Sequence, residues 1–207
     1  MSGKIGIGTP SSLVAAGTTR ESEQGFTLVE MLVVITIIGI LATLVGAAAH
    51  RAIINAQKVR TKSALMDIVT GINNYRSEYN HLPLPPGQTS EDAIPLDQGC
   101  TVLKILLGDN DSKMNPKEMR FIEPSTGKEG AGGLTGTRGS YSLTDLWGTP
   151  VEVILDANYD GRIHNPDAGN EDAAVAKGPD EIMASVIAFS HGADKKKGTR
   201  DDIVSWR

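Results

Sequence analysis

A single carboxylate, Glu30, stands near the start of an apolar run that continues to about Ala49. A charged group at bilayer depth costs about 2.5–3.5 kcal/mol, and less near the interface. A plain anchor gains nothing from it there, so Glu30 points to a second environment in which a cation meets it. Two aspartate-rich stretches, Asp156–Asp167 and Asp194–Asp202, offer another chemistry. Calcium takes six to eight oxygen ligands, and aspartates on a flexible turn supply them. Catalysis finds no support. His50, His81, His164 and His191 are scattered without zinc-ligand spacing, and no nucleophile elbow or phosphate loop is present. Cys100 is alone and has no activating neighbour, so the chain reads as no enzyme.

The elements that position these residues begin with the apolar run itself. After Glu30 no charge occurs until Arg51. About 20 apolar helical residues span a hydrocarbon core of about 30 Å. A cleaved secretory signal has a shorter apolar core of about 7–15 residues, so Ala47-Ala48-Ala49 fits poorly as its cleavage site. Residues 18–24 are polar, and Arg51, Lys58, Arg60 and Lys62 follow the run.

Gly25-Phe26-Thr27-Leu28-Val29-Glu30 and the following Met31–Ala42 resemble the cleavage and methylation motif of type IV pilins and type II secretion pseudopilins. The resemblance implies a prepilin peptidase cut between Gly25 and Phe26 and N-methylation of Phe26. It also implies that Glu30 neutralises the Phe26 amine of a neighbouring subunit. Two buried charges are tolerable as a pair, and removing one strands the other at several kcal/mol. The leader departs from the common short basic form. Lys4 and Arg20 are its only positive residues, set against Glu21 and Glu23. The cytoplasmic placement of the amino end is therefore carried by the resemblance rather than by charge.

Helical spacing continues past the apolar run. Leu65, Ile68, Ile72, Tyr75 and Tyr79 fall 3, 4, 3 and 4 apart and form one stripe. Leu82-Pro83-Leu84-Pro85-Pro86 ends the element. A helix from Phe26 to about Asn80 would be roughly 80 Å long; the plainer alternative is a membrane helix followed by a separate soluble one. Residues 87–99 read as loop, 101–107 as a short helix or strand, and 120–122 as extended. The glycine-rich stretch 127–139 reads as a mobile loop. Strands are expected at 151–155, 183–190 and 203–206. Trp147 and Trp206 are expected in a small core between sheet and helix.

Two further resemblances lie in the carboxy-terminal third. Asp145-Leu146-Trp147-Gly148-Thr149-Pro150 is similar to a turn of major pseudopilins. Ser190–Asp194 with Asp201–Trp206 is similar to their terminal segment, whose loop holds one calcium. That implies side-chain ligands Asp194, Asp201 and Asp202, with carbonyl help from His191 or Thr199. Lys195-Lys196-Lys197 departs from the pattern by placing three positive charges in the loop. Separately, Asp156, Asn158, Asp160, Gly161 and Asp167 fall at positions one, three, five, six and twelve of a loop resembling those of EF-hands and dockerins. The alternative there is an Asx-rich turn between strands.

With aromatics at 4% and one cysteine, the roughly 150 residues outside the leader and apolar run can bury one modest core. A net charge of −5 argues against nucleic acid as a partner. The expected class is α+β: a long amino-terminal spine helix packed on a small antiparallel sheet. The expected organisation is a leader at 1–25, a spine helix at 26–82 and a head at 83–207. The resemblance implies a single-pass inner-membrane subunit with a periplasmic head. It would polymerise with itself into a type II secretion pseudopilus and meet a prepilin peptidase, an inner-membrane platform and minor pseudopilins. The rivals are a type IV pilus subunit and a membrane-anchored calcium-binding or adhesion module.

Overall fold

The computed structural model describes residues 25–109, 113–172, 174–176 and 178–207. The leader up to Gln24 lies outside them. The chain divides into two compact units, Met1–Ala47 and Ala48–Arg207. One helix, α1 (Leu28–Tyr79), supplies residues to both, so a single helix replaces the alternative of two.

In the first unit, every described side chain from Gly25 to Gly46 is exposed. The helix there is long and apolar enough to cross a membrane. A helix that is apolar all round demands lipid or protein about it.

In the second unit the spacing changes the outcome. Leu65, Ile68, Ile72 and Tyr75 are all buried, and Tyr79 is half-buried. The stripe packs with Val102, Leu103, Ile105 and Leu106 of α2 (Thr101–Leu106) and with one face of an antiparallel sheet. That sheet has the order β1 (Ile94–Pro95), β4 (Glu152–Leu155), β7 (Val186–Ser190), β8 (Ile203–Val204). Strand residues alternate between faces. Val153, Leu155, Val186 and Ala188 meet the helix side. Ile154, Ile187, Phe189 and Val204 meet a second core with Ile163 and Ile182. The register Val153 opposite Ala188 and Ile154 opposite Ile187 keeps both faces apolar. Two small antiparallel pairs complete the unit: β2 (Gly133–Thr137) with β3 (Ser140–Thr144), and β5 (Ile163–His164) with β6 (Glu181–Ile182).

The arrangement is α+β, a long helix with small antiparallel sheets, as expected. Several local expectations are corrected. The helix ends at Tyr79, close to the expected end at about Asn80 and short of the spine bound at 82; the Asn80 φ of 59° and its N–H bond to the Arg76 carbonyl (2.8 Å) form a left-handed cap. The stretch 127–139 is a structured hairpin arm rather than a mobile loop. A Cβ at Gly133 (φ 149°) would lie 2.1 Å from the Ser125 carbonyl oxygen, so its glycine serves close backbone approach. The expected strand 183–190 begins only at Val186; Glu181–Ile182 turns away to pair with β5. Trp147 packs on the helix-side core, but Trp206 packs on the opposite face of the sheet. Segment 87–99 contains β1, a two-residue edge strand that tolerates Pro95 because its outer side is unpaired.

Gly71 and Lys62 are among the residues that hold α1 within this unit. Gly71 lets Ile122 cross the helix: a Cβ there would meet Ile122 Cγ2 at 2.3 Å and the Phe121 carbonyl oxygen at 2.7 Å. Lys62 donates from Nζ to the carbonyls of Val204 and Arg207. Gly71→Ala gains helix propensity worth about 1 kcal/mol. The backbone oxygen cannot rotate away, so a net loss of about 1 kcal/mol or more is expected from denaturant unfolding in detergent. Burial, then Tyr79 and Tyr159, push the Tyr75 pKa up to about 12. Its hydroxyl donates to the Met114 carbonyl at 2.9 Å. The unfolded chain releases this proton near pH 10. Tyr75 therefore favours folding below about pH 10, and that contribution fades as pH rises toward about 12. Melting curves across this range are expected to be flatter for Tyr75→Phe than for wild type.

Candidate functional site

The amino-terminal site is built on a local rule. Thr27 stands just before α1, and Glu30 is three residues on. The Glu30 N–H donates to Thr27 Oγ1 at 3.1 Å, while Glu30 Oε2 accepts the Thr27 N–H at 2.9 Å and the Thr27 hydroxyl at 3.0 Å. This is a reciprocal capping box. The helix dipole favours a carboxylate in the same turn. Glu30 thus has partners inside its own chain, besides any neighbour. Thr27 escaped the reading from residues, although Thr-x-x-Glu before an apolar run is the signal for it. Gly25 and Phe26 precede the helix, are exposed, and no atom crowds Gly25.

The terminal loop gathers three expected residues. One carboxylate oxygen from each of Asp194, Asp201 and Asp202 lies within 4.8 Å of the others. Thr199 joins them, its hydroxyl contacting Asp201 Oδ1 at 2.6 Å and Asp202 Oδ1 at 3.1 Å. Backbone N–H groups of Asp194 and Gly198 donate to Asp201 and Asp202. Burial alone would raise Asp201, but the Thr199 hydroxyl and backbone donors outweigh it and hold the carboxyl below its usual value. At Asp202 burial wins, and the carboxyl lies above its usual value. The His191 ring turns to Glu152, with Nε2 3.4 Å from Oε1. Lys197 also leaves the cluster, with Nζ 3.9 Å from Glu152 and 5.1 Å from the Phe189 ring centre. Lys195 and Lys196 are exposed. The all-oxygen donor set fits a hard cation.

The other loop keeps part of its expected set. Asp156 is buried, and its oxygens accept N–H bonds from Asp160 (3.2 Å) and Gly161 (2.9 Å). Asn158 Oδ1 accepts the Asp160 N–H at 2.9 Å, and its Nδ2 donates to Asp160 Oδ2 at 3.1 Å. Asp167 does not join them. The chain leaves through β5 and a turn that delivers Asp167 to Arg207, with which it forms an ion pair. Burial pushes the Asp167 carboxyl up, and Arg207 opposes the shift. The residue grouped with Asp156 and Asp160 is Glu91, from a segment more than sixty positions earlier. No local sequence signal marks it.

The two carboxy-terminal motifs also meet. Asp145 Oδ1 accepts N–H bonds from Trp147 and Thr149, each at 2.9 Å. Its Oδ2 accepts the Ser190 hydroxyl at 2.6 Å. The turn at 145–150 is therefore tied to the strand that leads into the terminal loop. For the amino-terminal box, Thr27→Ala removes a cap worth about 0.5–2 kcal/mol. Faster amide exchange confined to the first turn of α1 is the expected outcome, read by NMR of the unprocessed chain in detergent.

Residues 20–46 match the prokaryotic N-terminal methylation motif. Comparison with curated proteins and with solved structures returned no significant match. The match covers the capping box, Glu30 and the exposed apolar half of α1. The chain carries a type IV pilin-like prepilin signal, which implies processing by a prepilin peptidase, membrane association and filament assembly.

Proposed function

We propose that this chain is a structural subunit of a type II secretion pseudopilus. It waits in the inner membrane with its head in the periplasm and loses its leader between Gly25 and Phe26. It then enters a filament through the apolar half of α1. The methylation motif supports the filament. The finer assignment rests on one observation: the Asp145–Ser190 bond joins the two segments that resemble major pseudopilins. Cys100 is the only cysteine, so a terminal loop closed by two cysteines, common in type IV pili, is impossible here.

In this reading the work is mechanical. Glu30 exchanges its partner Thr27 for the N-methylated Phe26 amine of a neighbour, which sets the stagger between subunits. The inner-membrane platform and minor pseudopilins are the partners that start and drive growth. Asp194, Asp201 and Asp202, with Thr199 beside them, would hold calcium. The ion would neutralise three converging carboxylates and keep the terminal loop in place.

Glu30→Ala and Glu30→Leu are expected to leave membrane insertion intact and to abolish filaments, checked by membrane fractionation and electron microscopy. Filaments of wild-type abundance would count against the assembly role. Asp201→Asn is expected to lower the calcium-induced rise in melting temperature of the detergent-solubilised chain. An unchanged rise would remove the terminal loop from the account.

A further inference from the structure

We propose that Arg51, Lys58 and Arg60, which follow the apolar run, bind the phosphate headgroups of anionic lipids at the membrane surface. This rests only on the membrane association that the methylation motif implies, and it holds on either side of the membrane and for a pilus or a pseudopilus. The charge of the chain is sharply divided. No acidic residue occurs between Glu30 and Asp67, yet Arg51, Lys58, Arg60 and Lys62 all fall there. Residues 67–207 carry 22 acidic and 14 basic residues. The one strongly positive stretch of α1 is therefore the part that adjoins the apolar run.

Lys62 is already committed, since its Nζ donates to the carbonyls of Val204 and Arg207. The other three are not. Among the described residues, none of Arg51, Lys58 and Arg60 enters an ion pair. Arg51 and Arg60 are exposed, and Lys58 is half-buried.

The helix places these cations at the depth of lipid phosphates. Arg51 stands two residues past Ala49, about 3 Å along the axis. The interfacial layer beyond the hydrocarbon is about 5–7 Å deep, so Arg51 falls within it when the run spans the bilayer. Lys58 follows about 10 Å beyond Arg51, and Arg60 about 14 Å. Cα–Cβ bonds of an α-helix tilt toward its amino end, which here is the membrane, and long side chains reach further the same way. That brings the Lys58 ammonium within about one Debye length of the headgroups. Seven residues turn Lys58 to within about 20° of Arg51, so these two share a face, with Arg60 on the opposite one. The acidic remainder of the chain is repelled by an anionic surface, and the three cations offset that repulsion where α1 leaves the bilayer. The acidic head of a neighbouring copy is the competing partner. Lipid is favoured because Arg51 meets headgroups as soon as the run is inserted, before any second copy arrives.

The test is native mass spectrometry of the full chain released from nanodiscs that hold phosphatidylglycerol and phosphatidylcholine in equal amounts. Wild type is expected to retain phosphatidylglycerol in preference. Each Lys or Arg near an anionic surface strengthens binding about fivefold, so Arg51→Gln and Lys58→Gln are each expected to lower the preference by about that factor. Glutamine is a good helix former, so the fold is expected to survive. Arg51→Lys is expected to keep the preference, because the attraction needs charge rather than a guanidinium. Lys128→Gln, which removes an exposed cation of the hairpin arm, is expected to keep it too. Wild type that carries the two lipids in their bulk ratio would overturn the proposal. So would an Arg51→Gln, Lys58→Gln double variant that prefers phosphatidylglycerol as strongly as wild type; if that variant had also lost filaments, the cations would belong to a contact between copies.

Discussion

A carboxylate in the first turn of an apolar helix must have donors wherever the helix goes, and the rest of the molecule is arranged around that demand. In the single chain Thr27 meets it with an N–H and a hydroxyl. These are neutral donors, sufficient at a membrane interface but weaker than a full counterion. An amine at Phe26 on a neighbouring copy is stronger. In the proposed assembly, exchanging the one partner for the other would give the helix a satisfied state outside the filament and a better satisfied one inside it.

The same helix serves two surroundings through its side-chain pattern. Its first half is apolar on every side and buries nothing within its own unit. Its second half is apolar on one stripe, and that stripe is the wall of the main core. Gly71 and Lys62 secure the second half, one by admitting Ile122 against the backbone and the other by gripping the carbonyls at the chain's end. Within the second unit, α1 is therefore held to the sheet by packed side chains. The Asp145–Ser190 bond ties the turn at 145–150 to the strand that leads into the loop bearing Asp194, Asp201 and Asp202.

Much of this was legible in the residues. The 3–4 spacing from Leu65 to Tyr79 marked the buried stripe, and the apolar runs at 151–155 and 183–190 marked the central strands, the second of them three residues too early. Glycine misled at 127–139, because composition does not distinguish freedom from close backbone approach. Trp206 was placed on the wrong face, because a two-residue terminal strand has too little alternation to fix its orientation. At the acidic loops, the aspartates within each loop were readable from local spacing. Glu91 was not, since it reaches Asp156 only through the pairing of β1 with β4, a contact between distant segments. Thr27 was readable and shows how a functional explanation for Glu30 can hide a local one.

The account depends most on proteolysis that creates a cation at Phe26. Mass spectrometry of the mature amino terminus, on chain recovered from its native membrane, tests this directly. The expected result is a polypeptide beginning with N-methylated Phe26. A chain that still begins at Met1, in cells with an active prepilin peptidase, would contradict it.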